Sequence, residues 1–246
     1  VAISKNNKIN KNNIKIIAVT GTNGKSTIVS LINHLLKSNR IKTSLIGNIG
    51  NSIFSSKLIR DGFIIIEVSS YQLETSKIFS PNIAVISNLS SDHLSRHKSM
   101  RNYLNQKSKI FKNLSYDDTA ILNCNHDLIK SKVSKLLKNK KSNIISLNFE
   151  KRKSQFYSSK KNLIITSKLR RIKHSNLHLN GEHNEENIQI TYQVLSSLQL
   201  KNLSIKKALN SYIGLSHRQE IIFDNNKTMI INDSKATNIE SMVRAI

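Results

Sequence analysis

The stretch "VTGTNGKST", residues 19–27, carries the residue types that hold a nucleotide phosphate. Glycines followed by Lys25, Ser26 and Thr27, between an apolar run and a helical pattern, are typical of a phosphate-binding loop. Backbone N–H groups and the positive end of the helix would cradle phosphate oxygens. Lys25 would add a charge at the β- and γ-phosphates, and Ser26 or Thr27 an oxygen ligand for Mg²⁺. The full pattern has another glycine where Val19 stands, so only its second half matches.

Glu67 ends the apolar strand pattern "FIIIEVSS", where a charge is unexpected. Ligands of parallel sheets gather beyond the carboxyl ends of the strands, so Glu67 and the loop at Gly21 could share one crevice. A carboxylate there would be a second ligand for Mg²⁺. A solvated glutamate at a strand end explains the pattern equally well.

Further polar candidates follow the next strand pattern, in "SNLSSDHLSRH". His93 can bind a metal ion as neutral imidazole, and Asp92 could orient it or help bind a cation. Spacing alone does not distinguish His93 from an exposed loop residue, and we expect His97 to lie at the surface. Lys107 and Lys109 share one helical pattern, and its periodicity selects neither of them over a solvated lysine.

Alternating strand and helix patterns must position these residues. Apolar strand patterns occur at 14–20, 43–47, 62–70, 82–88, 118–125 and 143–149, with helical patterns between several of them. This order predicts an α/β fold with a doubly wound, mostly parallel sheet. Residues 151–180 have short alternating stretches and predict a small antiparallel appendage. The tail predicts a hairpin, a strand end and the start of a helix.

The composition limits the class of protein. A single cysteine, Cys124, excludes an intrachain disulfide and suits a reducing cytosol, so we expect a cytoplasmic protein. No apolar run of about 18 residues predicts a transmembrane helix. The net charge of +24 has two interpretations, a nucleic-acid or membrane binder and a lysine-rich surface throughout. Because aromatic residues make up only 5%, too few for base stacking, we expect neither nucleic acid nor membrane as a partner.

Seven motifs in order resemble the Mur ligases of peptidoglycan synthesis, from about Ile14 to the last residue. They are "TGTNGKST", "GNIG", "EVSSYQLE", "SDHL", "NGEHNEEN", "GLSHRQE" and "NDSKATN". The phosphate loop is shared with folylpolyglutamate synthases. The segments "EVSSYQLE" and "NDSKATN" are more specific and favour the members that add D-glutamate.

The resemblance implies an ATP-dependent amide-bond ligase with ATP and Mg²⁺ as cofactors. ATP would phosphorylate the terminal carboxylate of UDP-N-acetylmuramoyl-L-alanine, and the amine of D-glutamate would then attack the acyl phosphate. Such ligases act in cytoplasmic peptidoglycan precursor synthesis, and we expect a monomer at full length. Another Mur ligase, a folylpolyglutamate synthase-like ligase and a P-loop ATPase are the alternatives.

The resemblance also implies residue roles. Ser26 and Glu67 would bind Mg²⁺ between the β- and γ-phosphates, and His93 a second Mg²⁺ together with Lys107, which matches the lysine that the family carbamylates. With Lys25, the residues Glu67, His93 and Lys107 would form the catalytic set. Expected nucleotide contacts are Gly21, Thr22, Asn23, Gly24, Lys25, Ser26, Thr27, Asn184, Asn187, Arg218 and Asp233. Expected substrate contacts are Asn48, Ser69, Gln72, Lys235 and Thr237.

Family members have three domains, which suggests how this chain is divided. Residues 1–13 would be a linker from an N-terminal domain that binds the uridine nucleotide. Residues 14–213 would be the central ATP-binding domain, and 214–246 the incomplete start of a Rossmann-like C-terminal domain. We therefore expect a fragment, which can bind nucleotide without turning over. The family often has aspartate where Ser95 stands, so the polar role of that position stays open.

Overall fold

The computed structural model describes residues 14–50, 59, 61–139, 142–158, 160–161, 163–169, 171–225, 227–236 and 242–243. The predicted linker at 1–13 and the predicted substrate contact Thr237 therefore lie outside the described residues. So does most of the helix start predicted for the tail.

Eight strands form one sheet, in the order β2-β3-β1-β4-β5-β6-β7-β8. Their bounds are β1 Ile14–Thr20, β2 Thr43–Gly47, β3 Gly62–Glu67, β4 Ile83–Ile86, β5 Thr119–Asn123, β6 Asn143–Asn148, β7 Lys153–Ser158 and β8 Leu163–Lys168. The neighbours among β1 to β6 are parallel, whereas β7 and β8 are antiparallel. The predicted parallel α/β sheet is confirmed, and the predicted antiparallel appendage is confirmed as an extension of that sheet.

Helices cover both faces of the sheet. Their bounds are α1 Lys25–Ser38, α2 Ser70–Thr75, α3 Leu94–His97, α4 Met100–Lys107, α5 Asp127–Asn139, α6 Glu182–Ser197 and α7 Ile205–Asn210, with 3₁₀ turns at Ser108–Phe111 and Leu177–Leu179. Side chains of α1, α6 and α7 pack in one core, and those of α2, α4 and α5 in the other. Among the described residues, no helix is both long and apolar enough to cross a membrane.

The central strand β1 is apolar along most of its length because it contributes to both cores. Ile17 and Val19 face one core, while Ile16 and Ala18 face the other, as the two-residue period of a strand requires. Burying one such branched side chain stabilises the fold by about 1.5–3 kcal/mol. The strand ends at Thr20, where the polar loop begins.

The parallel register brings three strand ends to one edge of the sheet. Val19 pairs with Glu67 at the end of β3, and Thr20 pairs with Ile86 at the end of β4. The segments that follow β1, β3 and β4 therefore meet at this edge. These are the segments in which the sequence predicts the phosphate loop, the carboxylate and the histidine.

The tail contains a separate two-stranded sheet. Strands β9 Glu220–Asp224 and β10 Met229–Asn232 pair antiparallel, with a register shift between Ile230 and Ile231. The hairpin predicted for this region is confirmed.

Candidate active site

The loop after β1 has the backbone of a phosphate cradle. Gly24 adopts a left-handed conformation with φ 76° and is followed directly by Lys25, the first residue of α1. A Cβ at Gly24 would collide with Oδ1 of Asn187 and lie 3.2 Å from its Cγ. The N–H groups of the first helical turn have no partner within the helix and point towards the loop. A side chain at this position would require both a left-handed backbone and a shift of Asn187, which favours glycine.

A second segment, Ser87–Asn88–Leu89–Ser90 after β4, fixes the loop. Oδ1 of Asn88 accepts hydrogen bonds from the backbone N–H groups of Thr22 at 3.1 Å and Asn23 at 2.8 Å. Nδ2 of Asn88 and the hydroxyl of Ser87 both donate to the Asn23 carbonyl, at 3.0 and 2.8 Å. Ser90 donates its N–H to the Thr22 hydroxyl at 3.1 Å.

None of these anchoring residues was selected by the sequence analysis. The only signal is the polar run that directly follows the buried strand β4. It lies about 65 residues from the loop along the chain, so no local pattern connects the two.

Lys25 lies partly buried beside the loop. Its Nζ donates to the Thr22 carbonyl at 2.7 Å, which folds the side chain back along the loop. Burial lowers the pKa of this amine, and Arg218 lowers it further, while the carboxylates of Glu67 and Asp92 raise it. One lysine therefore experiences both acidic groups that the sequence predicts at this edge.

Glu67 is buried, with 3% of its surface exposed. Among the residues that the structure describes, no donor reaches its Oε2. A buried carboxylate oxygen without a donor costs about 1–3 kcal/mol or more unless a cation compensates it. The position therefore fits a divalent cation held partly by phosphate oxygens, the usual situation of Mg²⁺. No group of three His, Cys, Asp or Glu side chains in the described ranges forms a metal cage on its own.

Lys107 is almost fully buried, with 1% of its surface exposed. Its Nζ donates to the Gly21 carbonyl at 2.7 Å and lies 4.2 Å from the centre of the Tyr103 ring. Burial and the nearby Lys25 lower its pKa to about 6, despite the opposing effect of Asp92. At neutral pH this amine is therefore largely uncharged, which is the nucleophilic form.

Lys109, which the periodicity did not separate from Lys107, points elsewhere. Its Nζ donates to the Glu74 carbonyl at 2.9 Å. Of the two lysines, Lys107 is the one in contact with the phosphate loop.

His93 lies next to Asp92 at the start of α3. The closest side-chain approach is 3.6 Å, between Nε2 of His93 and Oδ2 of Asp92. The imidazole packs edge-on against Tyr71, and more distantly against Tyr103 above which the Lys107 amine sits. The partly exposed imidazole and the Lys107 amine thus have the Tyr103 ring as a common neighbour.

The expected surface position of His97 is wrong. The residue is 6% exposed, stacks on Tyr103 with ring centres 5.0 Å apart, and shares a hydrogen bond of 3.0 Å with Ser70. Burial lowers the pKa of its imidazole. A histidine on a four-residue helix can be buried when aromatic neighbours cover it, which the sequence pattern does not reveal.

The phosphate loop forms one wall of a cavity whose other walls come from later parts of the chain. Predicted nucleotide contacts in its lining are Asn23, Gly24, Thr27, Asn184, Asn187, Arg218 and Asp233. Further lining residues include Asn88, His183, Tyr212, Gly214 and Gln219. The tail is tied to this cavity, because Gln219 donates its N–H to Asp233 at 3.2 Å and its side chain contacts His183.

The predicted substrate contacts are more scattered. Asn48 is exposed next to Glu67, donating its N–H to the Glu67 carbonyl at 3.4 Å. Ser69 and Gln72 bond reciprocally as the capping box of α2, so both side chains have a structural role. Lys235 is exposed, and its N–H donates to the His217 carbonyl at 3.1 Å.

Fold and site together define a P-loop α/β domain with a buried carboxylate and a buried lysine beside the phosphate loop. Residues 19–195 match the Mur ligase middle domain family. The chain belongs to the Mur ligase family.

Two sequence relatives carry the name of one member of that family. The chain is 35% identical over 234 residues to the UDP-N-acetylmuramoylalanine–D-glutamate ligase of Rickettsia prowazekii, covering 95% of this chain and 52% of the relative. It is 32% identical over 242 residues to the enzyme of the same name from Clostridioides difficile, covering 96% and 52%. The chain thus spans about half the length of the curated relatives it matches.

Solved structures support the fold. MurF from Acinetobacter baumannii superposes with a TM-score of 0.68 at 18% identity, covering 94% of this chain and 53% of that one. MurF from Thermotoga maritima, solved in complex with ADP, gives a TM-score of 0.67 at 18% identity, covering 94% and 57%.

Proposed function

We propose that this chain is the ATP-binding part of a ligase that joins D-glutamate to UDP-N-acetylmuramoyl-L-alanine through an acyl phosphate. The carrying observation is the meeting of a buried carboxylate and two lysine amines at a phosphate loop, in a chain about a third identical to relatives of that name. The expected acid substrate is a poor electrophile until phosphorylation supplies a leaving group. The site therefore has to handle the charge of phosphoryl transfer.

The chain's own groups suit that task. The amides of the first turn of α1 would bind the phosphates, and Lys25 would place its charge at the transferring group, exchanging its bond to Thr22 for one to phosphate. The cavity between Asn187 and Arg218 would hold the nucleoside. The exposed strand edge near Asn48 would present the carboxylate substrate to the γ-phosphate.

Ser26 and Glu67 are the residues that would hold Mg²⁺. The unpartnered Oε2 of Glu67 supports this assignment, as does the burial of Ser26 at the first turn of α1. When bound, the ion would neutralise charge on the phosphoryl group. His93 is proposed for a second Mg²⁺, with Asp92 orienting its imidazole.

Lys107 is proposed to carry a carbamate. Its neutral amine would attack CO₂, forming an N–C bond and releasing one proton, and the product would be an anion suited to that second cation. The low pKa supports this proposal, because a protonated amine cannot react. The carbamate nitrogen would keep one N–H, so a donor would remain for the Gly21 carbonyl.

The proposed division into a central domain at 14–213 and the start of a further domain at 214–246 is supported by the separate hairpin β9–β10. In a longer parent protein, Lys235 and Thr237 would face the amino-acid substrate, while Ser69 and Gln72 would contact the uridine-nucleotide substrate.

The test is a ligation assay with the protein as the cell makes it. With ATP, Mg²⁺, UDP-N-acetylmuramoyl-L-alanine and labelled D-glutamate, we expect one ADP and one phosphate for each product formed. Incorporation of L-alanine or a diamino acid in place of D-glutamate would reassign the chain to another Mur ligase. Salt-sensitive oligonucleotide binding that stimulates ATP hydrolysis would favour a nucleic-acid ATPase instead.

A further inference from the structure

The side chain of Asn88 forms hydrogen bonds with backbone groups that a phosphate loop usually uses to bind its ligand. Its side-chain oxygen accepts from two consecutive loop N–H groups, those of Thr22 and Asn23. Its side-chain nitrogen returns a bond to the Asn23 carbonyl at 3.0 Å. One amide side chain thus satisfies three backbone groups of the loop.

We propose that Asn88 is a positioning residue that holds the phosphate loop in its binding shape before the nucleotide arrives. The N–H groups of Thr22 and Asn23 then form hydrogen bonds within the protein. The phosphates would be bound by the N–H groups of Gly24 through Thr27. The inference deepens the proposed function and rests on it, since it requires that the loop bind a nucleotide.

Two physical arguments support this role. The loop backbone makes a left-handed turn at Gly24, which would cost conformational entropy to order on each binding event. Contacts that preorder a binding loop remove that cost from the binding step. Ser87 strengthens the effect, because its hydroxyl donates to the same Asn23 carbonyl and a Cβ at Gly21 would collide with its side chain.

The chain offers a matched control in Asn82, at the opposite end of the same strand. Its Oδ1 accepts a hydrogen bond of 2.8 Å from the backbone N–H of Ile16 in β1. Both asparagines therefore attach the β4 segment to the β1 segment by the same kind of bond. Only Asn88 lies at the edge where the nucleotide would bind. If the role of Asn88 were purely structural, substitution of either asparagine would have the same effect on nucleotide affinity.

The experiment compares Asn88→Ala and Asn82→Ala in this chain by calorimetric titration with Mg·ADP and by thermal unfolding. We expect Asn88→Ala to raise the Kd at least tenfold and Asn82→Ala to change it less than twofold, although both lower Tm. Equal affinities of the two variants would overturn the inference while leaving the proposed function intact. Absence of Mg·ADP binding by the unaltered chain would instead overturn both.

Hydrogen exchange on the unaltered chain gives a second measurement that needs no folded variant. Without nucleotide, the amides of Thr22 and Asn23 should exchange slowly, and those of Gly24 through Thr27 rapidly. Mg·ADP should slow only the second group. Rapid exchange at Thr22 and Asn23 in the nucleotide-free chain would contradict the role of Asn88.

Discussion

The amine of Lys107 lies 2.7 Å from the carbonyl oxygen of Gly21, so a buried lysine on α4 contacts the first residue of the phosphate loop. The two residues are 86 positions apart in the sequence. Lys25 contacts the next residue of the loop, Thr22, and its charge disfavours protonation of Lys107. This crowding distinguishes Lys107 chemically from the other lysines of a strongly basic chain.

Native mass spectrometry in bicarbonate should find one added CO₂ per chain, located on Lys107. The reason is that the pKa of Lys107 is about 6, so its amine is largely neutral at pH 7–8 and can react with CO₂. Lys107→Met should abolish the adduct, and Lys109→Met should leave it unchanged. An adduct that persists in Lys107→Met would refute the assignment.

The free energy of unfolding of the chain should rise with pH in CO₂-free buffer because of the Lys107 amine. Unfolding returns the pKa of Lys107 from about 6 to its ordinary value of 10.5, so between these limits the unfolded chain binds one more proton. The free energy of unfolding then increases with pH by at most about 1.4 kcal/mol per unit, and below about pH 6 the full burial penalty remains. In Lys107→Met this contribution should vanish. Parallel pH profiles of Tm for both proteins would show the prediction to be wrong.

Glu67→Gln should separate stability from binding. Removing a buried charge whose Oε2 has no donor should leave the free energy of unfolding unchanged or raise it by about 1 kcal/mol. Affinity for the Mg²⁺ complex of a non-hydrolysable ATP analogue should fall at least tenfold, with affinity for the metal-free analogue little altered. Calorimetry with and without Mg²⁺ measures both, and Glu74→Gln, which removes a carboxylate paired with Arg96, is the control. A similar loss in the control would argue against a metal role.

Gly24→Ala should destabilise the chain more than Gly214→Ala. Both glycines have nearly the same positive φ, 76° and 78°, so both variants carry a backbone strain of about 1–2 kcal/mol. Only at Gly24 does the new Cβ collide with a side-chain atom, Oδ1 of Asn187, whereas at Gly214 the nearest atom is 3.3 Å away. Denaturant unfolding measures the difference, and equal destabilisation would mean that Asn187 moves aside freely.

Local sequence patterns were enough to predict the strands and the loop at Gly21. Buried parallel strands are continuous apolar runs, and phosphate loops have a distinctive composition. They also sufficed to place Glu67 and His93 at one edge, since the carboxyl ends of parallel strands share an edge. They could not choose between Lys107 and Lys109, because burial of a helix lysine depends on what packs over it. The roles of Asn88 and the burial of His97 depend on contacts between distant segments and were missed for that reason.

The outermost strand β8 should make association between molecules depend on the salt concentration. Leu163, Ile164 and Ile165 are about half exposed along the open edge of the sheet, at 47%, 58% and 47%. Residues 151–173 around them contain nine lysines and arginines and no acidic residue. Two molecules that approach edge to edge repel each other through these charges. Added salt shortens the range of that repulsion to a few ångströms, whereas the attraction between the apolar side chains remains. Light scattering should therefore detect growing assemblies as ionic strength increases, the reverse of what a protein held together by ion pairs would do.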